Sequence, residues 1–191
     1  MPQTFVNSFP LPFPWSHTAL SVWHKYPNPS APHVVSMDTL SHQYDDQTGL
    51  LRIERILGVR QGAPTWAVKL LGGTEDTYVR EVTMIDSANE RFEMTSTNLS
   101  LSAYLLVKEY ITYLPASPTT SVFNQTALIT CSAGSGGGFI AKAAQKIEDW
   151  SHKRFGDNAE KGKMGLEHVC KQLWESRWQQ SDSSSMSAAR L

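Results

Sequence analysis

The spacing of apolar residues along the chain changes once, near Gly138, and the change separates two kinds of structure. Before it, apolar and polar residues alternate in short runs: Val34–His42, Leu50–Leu57, Tyr78–Ile85, Arg91–Leu99, Ala103–Leu114 and Thr120–Cys131. A period of two predicts strands with one buried face. Turn clusters such as Asp45-Asp46-Gln47-Thr48-Gly49 and Asp86-Ser87-Ala88-Asn89 lie between them, so neighbouring runs pair as an antiparallel meander. The apolar start, Phe5 to Phe13, contains prolines that confine it to a sheet edge. Pro14-Trp15-Ser16 then opens a short helix ending near Tyr26.

After Gly134-Ser135-Gly136-Gly137-Gly138, apolar residues recur every three or four positions: Phe139, Ala143, Ile147, Trp150, then Arg154 on the same stripe. This is a helical period. It runs to about Trp178, roughly 60 Å of helix if unbroken. Gly156, Gly162 and Gly165 are expected to bend or interrupt it. From Gln179 the chain is Ser-rich and is expected to be a disordered tail. The order implies an α+β domain over residues 1–178, in which a curved antiparallel sheet grips a long C-terminal helix.

Composition narrows the function classes. At 191 residues the chain is long enough for one domain with a sizeable core. A net charge of −1 supplies no global field to attract nucleic acid or an anionic membrane, so any basic site must be local. No run approaches the length of a membrane-spanning helix. The start has neither a signal-peptide core nor an Arg-rich presequence, which taken alone favours the cytosol. Cys131 and Cys170 stand far apart without metal or redox spacing and are expected to be buried thiols. No nucleophile motif, Walker loop or metal-ligand cluster is present, so neither a catalytic residue nor a cofactor is expected.

Four segments stand out chemically. In Lys25-Tyr26-Pro27-Asn28-Pro29-Ser30-Ala31-Pro32-His33, three prolines stiffen a connector between a lysine and a histidine. It is either a rigid turn or a frame that holds two protonatable groups for an anion. Arg154, Asn158 and Lys161 continue the apolar stripe of the helix at i, i+4 and i+7. They are either a solvated face or a phosphate site at the end of an apolar track, which suits an amphiphile. Glu109 interrupts the apolar row Ala103, Leu105, Val107, Ile111, Tyr113. A carboxylate there should be paired, protonated or at a rim, with Lys25 or Lys161 as partner. Finally, the apolar stretch from Gly58 to Gly73 either packs as a short helix or forms a mobile lid.

Taken together the motifs resemble a known family. The connector Lys25 to His33 is followed in order by Ala63-Pro64-Thr65-Trp66, Glu81-Val82, Thr97-Asn98-Leu99 and Val107-Lys108-Glu109-Tyr110. Lys146-Ile147-Glu148-Asp149-Trp150-Ser151 and Asn158 through Lys161, leading into Lys163-Met164-Gly165, complete the series. This arrangement resembles the PRELI/MSF1 (Ups) family of phospholipid carriers of the mitochondrial intermembrane space, over roughly residues 1–178, with spacing close to the phosphatidic-acid branch. The resemblance implies a START-like hollow fold that carries phosphatidic acid between mitochondrial membranes and supports cardiolipin synthesis, with phosphatidylserine as the alternative cargo. It implies a headgroup site of Lys25, His33, Glu109, Arg154, Asn158 and Lys161. A lid with Arg60, Pro64, Trp66, Leu70 and Leu71 would meet anionic membranes. It also implies a small helical partner with twin CX9C motifs. The phosphatidic-acid carriers have Arg where this chain has Lys25, which keeps the charge but not the planar donor fork.

Overall fold

The computed structural model describes residues 3–29, 31–60, 76–103, 105–131 and 159–177. Seven strands form one antiparallel sheet: β1 (Gln3–Leu11), β2 (Val34–Tyr44), β3 (Leu50–Arg60), β4 (Asp76–Asp86), β5 (Arg91–Asn98), β6 (Leu105–Ser117) and β7 (Thr120–Cys131). Among the described residues two helices join it, α1 (Trp15–Trp23) and α2, which covers 159–177. Strands β2 to β7 form the expected meander. The first strand then pairs with the last, giving the order β1-β7-β6-β5-β4-β3-β2. Because β1 has β7 on one side only, Pro10 is tolerated opposite Val122.

The period-two pattern is realised in β3, where Ile53, Arg55 and Leu57 are buried and Glu54 and Ile56 between them are less so. The inward residues Phe92, Met94, Ile111, Tyr113 and Phe123 build the core with Phe9 and Leu11. Tyr113 contacts Phe92 and Phe123 edge-on, and Phe9 stacks on Phe123 at 4.4 Å between centroids. Gly58 marks a close approach. A Cβ there would lie 2.4 Å from Ser36 Oγ, beside the β2 irregularity between Val34 and Ser36.

Strand β6 begins at Leu105 rather than Ala103. The Asn98 side chain explains the shift: its amide donates to the carbonyls of Ser100 and Leu105, and its Oδ1 accepts from Val107 N–H at 2.7 Å. This clamp holds the preceding residues in a turn in which Leu101 adopts a φ of 59°. Helix α1 ends at Trp23, short of the expected Tyr26. Tyr26 precedes a proline, across a cis bond, and a residue before proline avoids the helical region.

Of the bend or interruption expected at Gly162 and Gly165, no interruption occurs, since both sit inside a continuous helical stretch. A helical glycine costs only about 1 kcal/mol. Burying Leu166, Val169 and Cys170 outweighs that. Helix α2 docks on α1 through His17, whose Nε2 donates to the Cys170 carbonyl at 2.8 Å, and through the edge contact of His17 with Trp174. Trp15 Nε1 donates to the Tyr113 carbonyl and ties α1 to β6. Cys170 is buried, as expected of a structural thiol. The tail 179–191 lies outside the described residues.

Candidate functional site

Between α2 and the concave face lies a cavity of about 290 Å³. Its wall is drawn from the sheet (Leu57, Val79, Met94, Ile111, Phe123), from the connector (Lys25, Tyr26, Asn28, His33) and from α2 (Ala159, Lys161, Gly162, Lys163, Leu166). The volume stands at the lower end of the range for ligand pockets. Four residues expected from sequence, Lys25, His33, Glu109 and Lys161, converge on it although they come from three separate segments. Arg154 and Asn158 lie outside the described residues, as do Pro64, Trp66, Leu70 and Leu71 of the expected lid. Arg60, expected at the lid, does not line the cavity. Its Nε donates to Asp76 at 3.0 Å on the exposed end of the β3–β4 pair.

The connector is fixed to the helix it faces. Asn28 is buried, and its amide donates to the Gly165 carbonyl at 3.2 Å. Backbone bonds from Ala31 N–H to the Asn28 carbonyl and from Val34 N–H to the Ala31 carbonyl shape the turn between. The rigid turn and the framing of Lys25 and His33 are therefore one structure: the turn places both residues on the cavity wall.

Lys25 Nζ lies 5.4 Å from the Tyr26 ring centroid. The Tyr26 phenol first, then Tyr113 and Glu81, hold the lysine pKa well above its ordinary value against the opposing effect of burial. Lys25 is thus a firmly protonated cation inside the cavity.

Glu109 accepts from Gln125 Nε2 at 2.8 Å. Burial, foremost, pushes its pKa up. The Gln125 hydrogen bond opposes this, Glu81 adds to it, and Lys25 draws it down. The hydrogen-bond partner is therefore the amide, whereas Lys25 acts on Glu109 through its field.

Glu109 is one member of a polar rung that crosses the concave sheet. The register pairs Glu109 with Ser96, Ser96 with Glu81 and Glu81 with Arg55. Arg55 Nη2 donates to Glu81 at 2.9 Å, with both side chains nearly fully buried at 4% and 8% exposure. The Arg55 guanidinium also stacks over Trp23 at 4.8 Å, and its Nη1 contacts Met37 Sδ. Beside the rung, Val79 and Leu57 lie on one side, and Ile53, Met94 and Ile111 lie on the other in a row that also holds the buried polar residues Thr83 and Gln125. Sequence reasoning singled out Glu109 but missed Arg55, Glu81, Gln125 and Asn28. Arg55 and Glu81 carry the same signal as Glu109, a charge at an inward position of an alternating strand. Only the register reveals that they share a rung.

The arrangement is a hollow α+β domain, an antiparallel sheet and a helix enclosing one cavity. Solved structures with little sequence similarity share the fold. The ZhuI aromatase/cyclase of Streptomyces sp. R1128 superposes with a TM-score of 0.60 at 9% identity, over 90% of this chain and 95% of that one. Ara h 8.0201 does so with a TM-score of 0.54 at 12% identity, over 90% and 99%. The family is narrower than the fold. A model of the PRELI-like family matches residues 17–176. The mitochondrial protein UPS2 of Saccharomyces cerevisiae is 38% identical over 180 residues, 93% of this chain and 76% of that protein. The mitochondrial protein UPS1 of the same yeast is 34% identical over 166 residues, 87% and 91% respectively. The UPS-like protein C36.10 of Schizosaccharomyces pombe is also 34% identical, over 84% of this chain and 85% of its own length. The chain belongs to the PRELI-like family.

Proposed function

We propose that this protein is a mitochondrial phospholipid carrier that encloses one lipid, its phosphate against the cationic residues of the cavity and its acyl chains along the apolar wall. One observation carries the reading: Lys25 and His33 of the connector and Lys161 of α2 face a single largely apolar cavity. Family membership and the two mitochondrial yeast relatives support it. The physical need is clear. Exposing acyl chains to water costs about 0.8 kcal/mol per CH₂, so bare transfer of a two-chain lipid is opposed by on the order of 20 kcal/mol. Enclosure removes most of that barrier. The lipid moves unchanged, so the protein is a carrier and not an enzyme.

The finer reading keeps phosphatidic acid as cargo, moved between outer and inner membranes through the intermembrane space to feed cardiolipin synthesis. A transient contact with anionic membranes loads the lipid, and a small twin-CX9C helical protein accompanies the carrier. Arg154 and Asn158 extend the phosphate site, and the segment with Pro64, Trp66, Leu70 and Leu71 serves as lid. A second reading, phosphatidylserine, is favoured by the carboxylates Glu81 and Glu109 on the same wall. They offer acceptors to an ammonium group that phosphatidic acid lacks.

The test is fluorescent lipid transfer between donor and acceptor liposomes, with each lipid run separately and the helical partner co-expressed. Lys25→Gln combined with Lys161→Glu is expected to lower transfer by about tenfold or more, since hydrogen bonds to charged groups contribute about 1.5–3 kcal/mol each. Unimpaired transfer by this variant would remove the basic-site assignment. Movement of neither lipid by the wild-type protein would end the carrier reading.

A further inference from the structure

Among the described residues, no packing contact requires position 162 to be glycine. It lies within α2, where glycine is about 1 kcal/mol less favourable than alanine. Its backbone is not in the left-handed region, and a Cβ built on it would meet no atom of the described residues within 4 Å. By contrast, a Cβ at Gly58 would meet Ser36 Oγ at 2.4 Å, so there the protein's own packing explains the residue. Gly162 is one of the residues that line the cavity.

Its neighbours define that space chemically. Lys161 and Lys163 also line the cavity. Successive residues of a helix are set about 100° apart, so these two side chains flank the bare turn on either side. The Lys163 ammonium stands 5.0 Å from the Phe9 ring centroid and 4.0 Å from the Glu167 carboxylate, so it is held near the wall. Glycine between them leaves a strip of exposed backbone between two cations.

We infer that Gly162 is a specificity-determining position, the bare floor over which the phosphate-bearing end of the cargo passes between Lys161 and Lys163. A side chain at 162 would occupy the cargo's space without disturbing the protein's own packing. This rests on the phospholipid-carrier reading and adds to it the residue that sets clearance at the headgroup end.

Two variants test it, with liposome transfer and thermal unfolding measured on each. Gly162→Ala adds one methyl group and improves helix propensity. It is expected to raise the melting temperature. Gly162→Leu fills the space and is expected to unfold no more easily than wild type yet to lose transfer by about tenfold or more. A leucine variant that transfers lipid at the wild-type rate would overturn the inference while leaving the carrier reading intact. A leucine variant with a markedly lowered melting temperature would also overturn it, because the position would then be packed and not open. If the wild-type protein moves no lipid, the carrier reading fails and this inference falls with it.

Discussion

At the scale of single residues, the concave wall is governed by how charge is handled inside a sheet. Arg55 and Glu81 neutralise each other, so a buried pair that would be costly if broken is stable as a unit. Glu109 has a neutral partner instead, and burial raises its pKa above the ordinary 4.5. The sign of the consequence follows directly. Below pH 4.5 the carboxyl is protonated in folded and unfolded chains alike, and Glu109 has no effect on the pH dependence of stability. As pH rises from there to the raised folded value, the unfolded chain ionises first and stability falls, then levels off. Glu109→Gln removes this contribution. Urea unfolding midpoints of both proteins, measured from about pH 4 to pH 8, should show the wild type losing ground to the variant by about 1.4 kcal/mol per unit of raised pKa. A constant difference across that range would mean that Glu109 ionises as readily in the folded chain as in the unfolded one. Lys25 behaves differently. Its pKa is raised, so its stabilising contribution is complete at neutral pH and is lost only in strong alkali.

At the scale of elements, the decisive joint is between the proline-rich connector and α2. The prolines limit the connector's freedom, but Asn28 is what docks it, through the Gly165 carbonyl. Replacing Asn28 by alanine should destabilise the fold by about 1–2 kcal/mol and increase amide hydrogen exchange in 159–177 more than in the distant β4–β5 pair. Equal increases in both places would show general loosening and not a local clamp. The connector motif was legible in the sequence because proline leaves an unambiguous local mark. Its docking was not, because a carbonyl acceptor is present on every residue and the partner lies 137 positions away.

At the scale of the whole molecule, a cavity between sheet and helix means that the empty fold forgoes packing which a cargo would supply. Binding to the folded state alone should therefore stabilise it, by about 2.7 kcal/mol at a free ligand concentration a hundred times Kd. For a domain of this size that corresponds to a rise of about 5–10 °C in melting temperature. Short-chain, water-soluble phosphatidic acid and phosphatidylserine are the probes, and scanning calorimetry is the measurement. The larger shift identifies the preferred headgroup, and no shift with either would argue against a lipid-filled cavity.

What the sequence by itself determined was local in origin. Alternation placed β2 through β7, Pro10 kept β1 at an edge, and the break in alternation at Glu109 marked the wall of a site. Each rests on the chemistry of neighbouring residues, which short stretches carry without reference to the rest of the chain. The tertiary structure alone decided that β1 closes against β7, that Arg55, Glu81 and Glu109 share one rung, and that Lys25, His33 and Lys161 face one cavity. Those facts depend on strand register and helix docking across long separations, and many pairings satisfy the same alternating pattern until side-chain packing selects one.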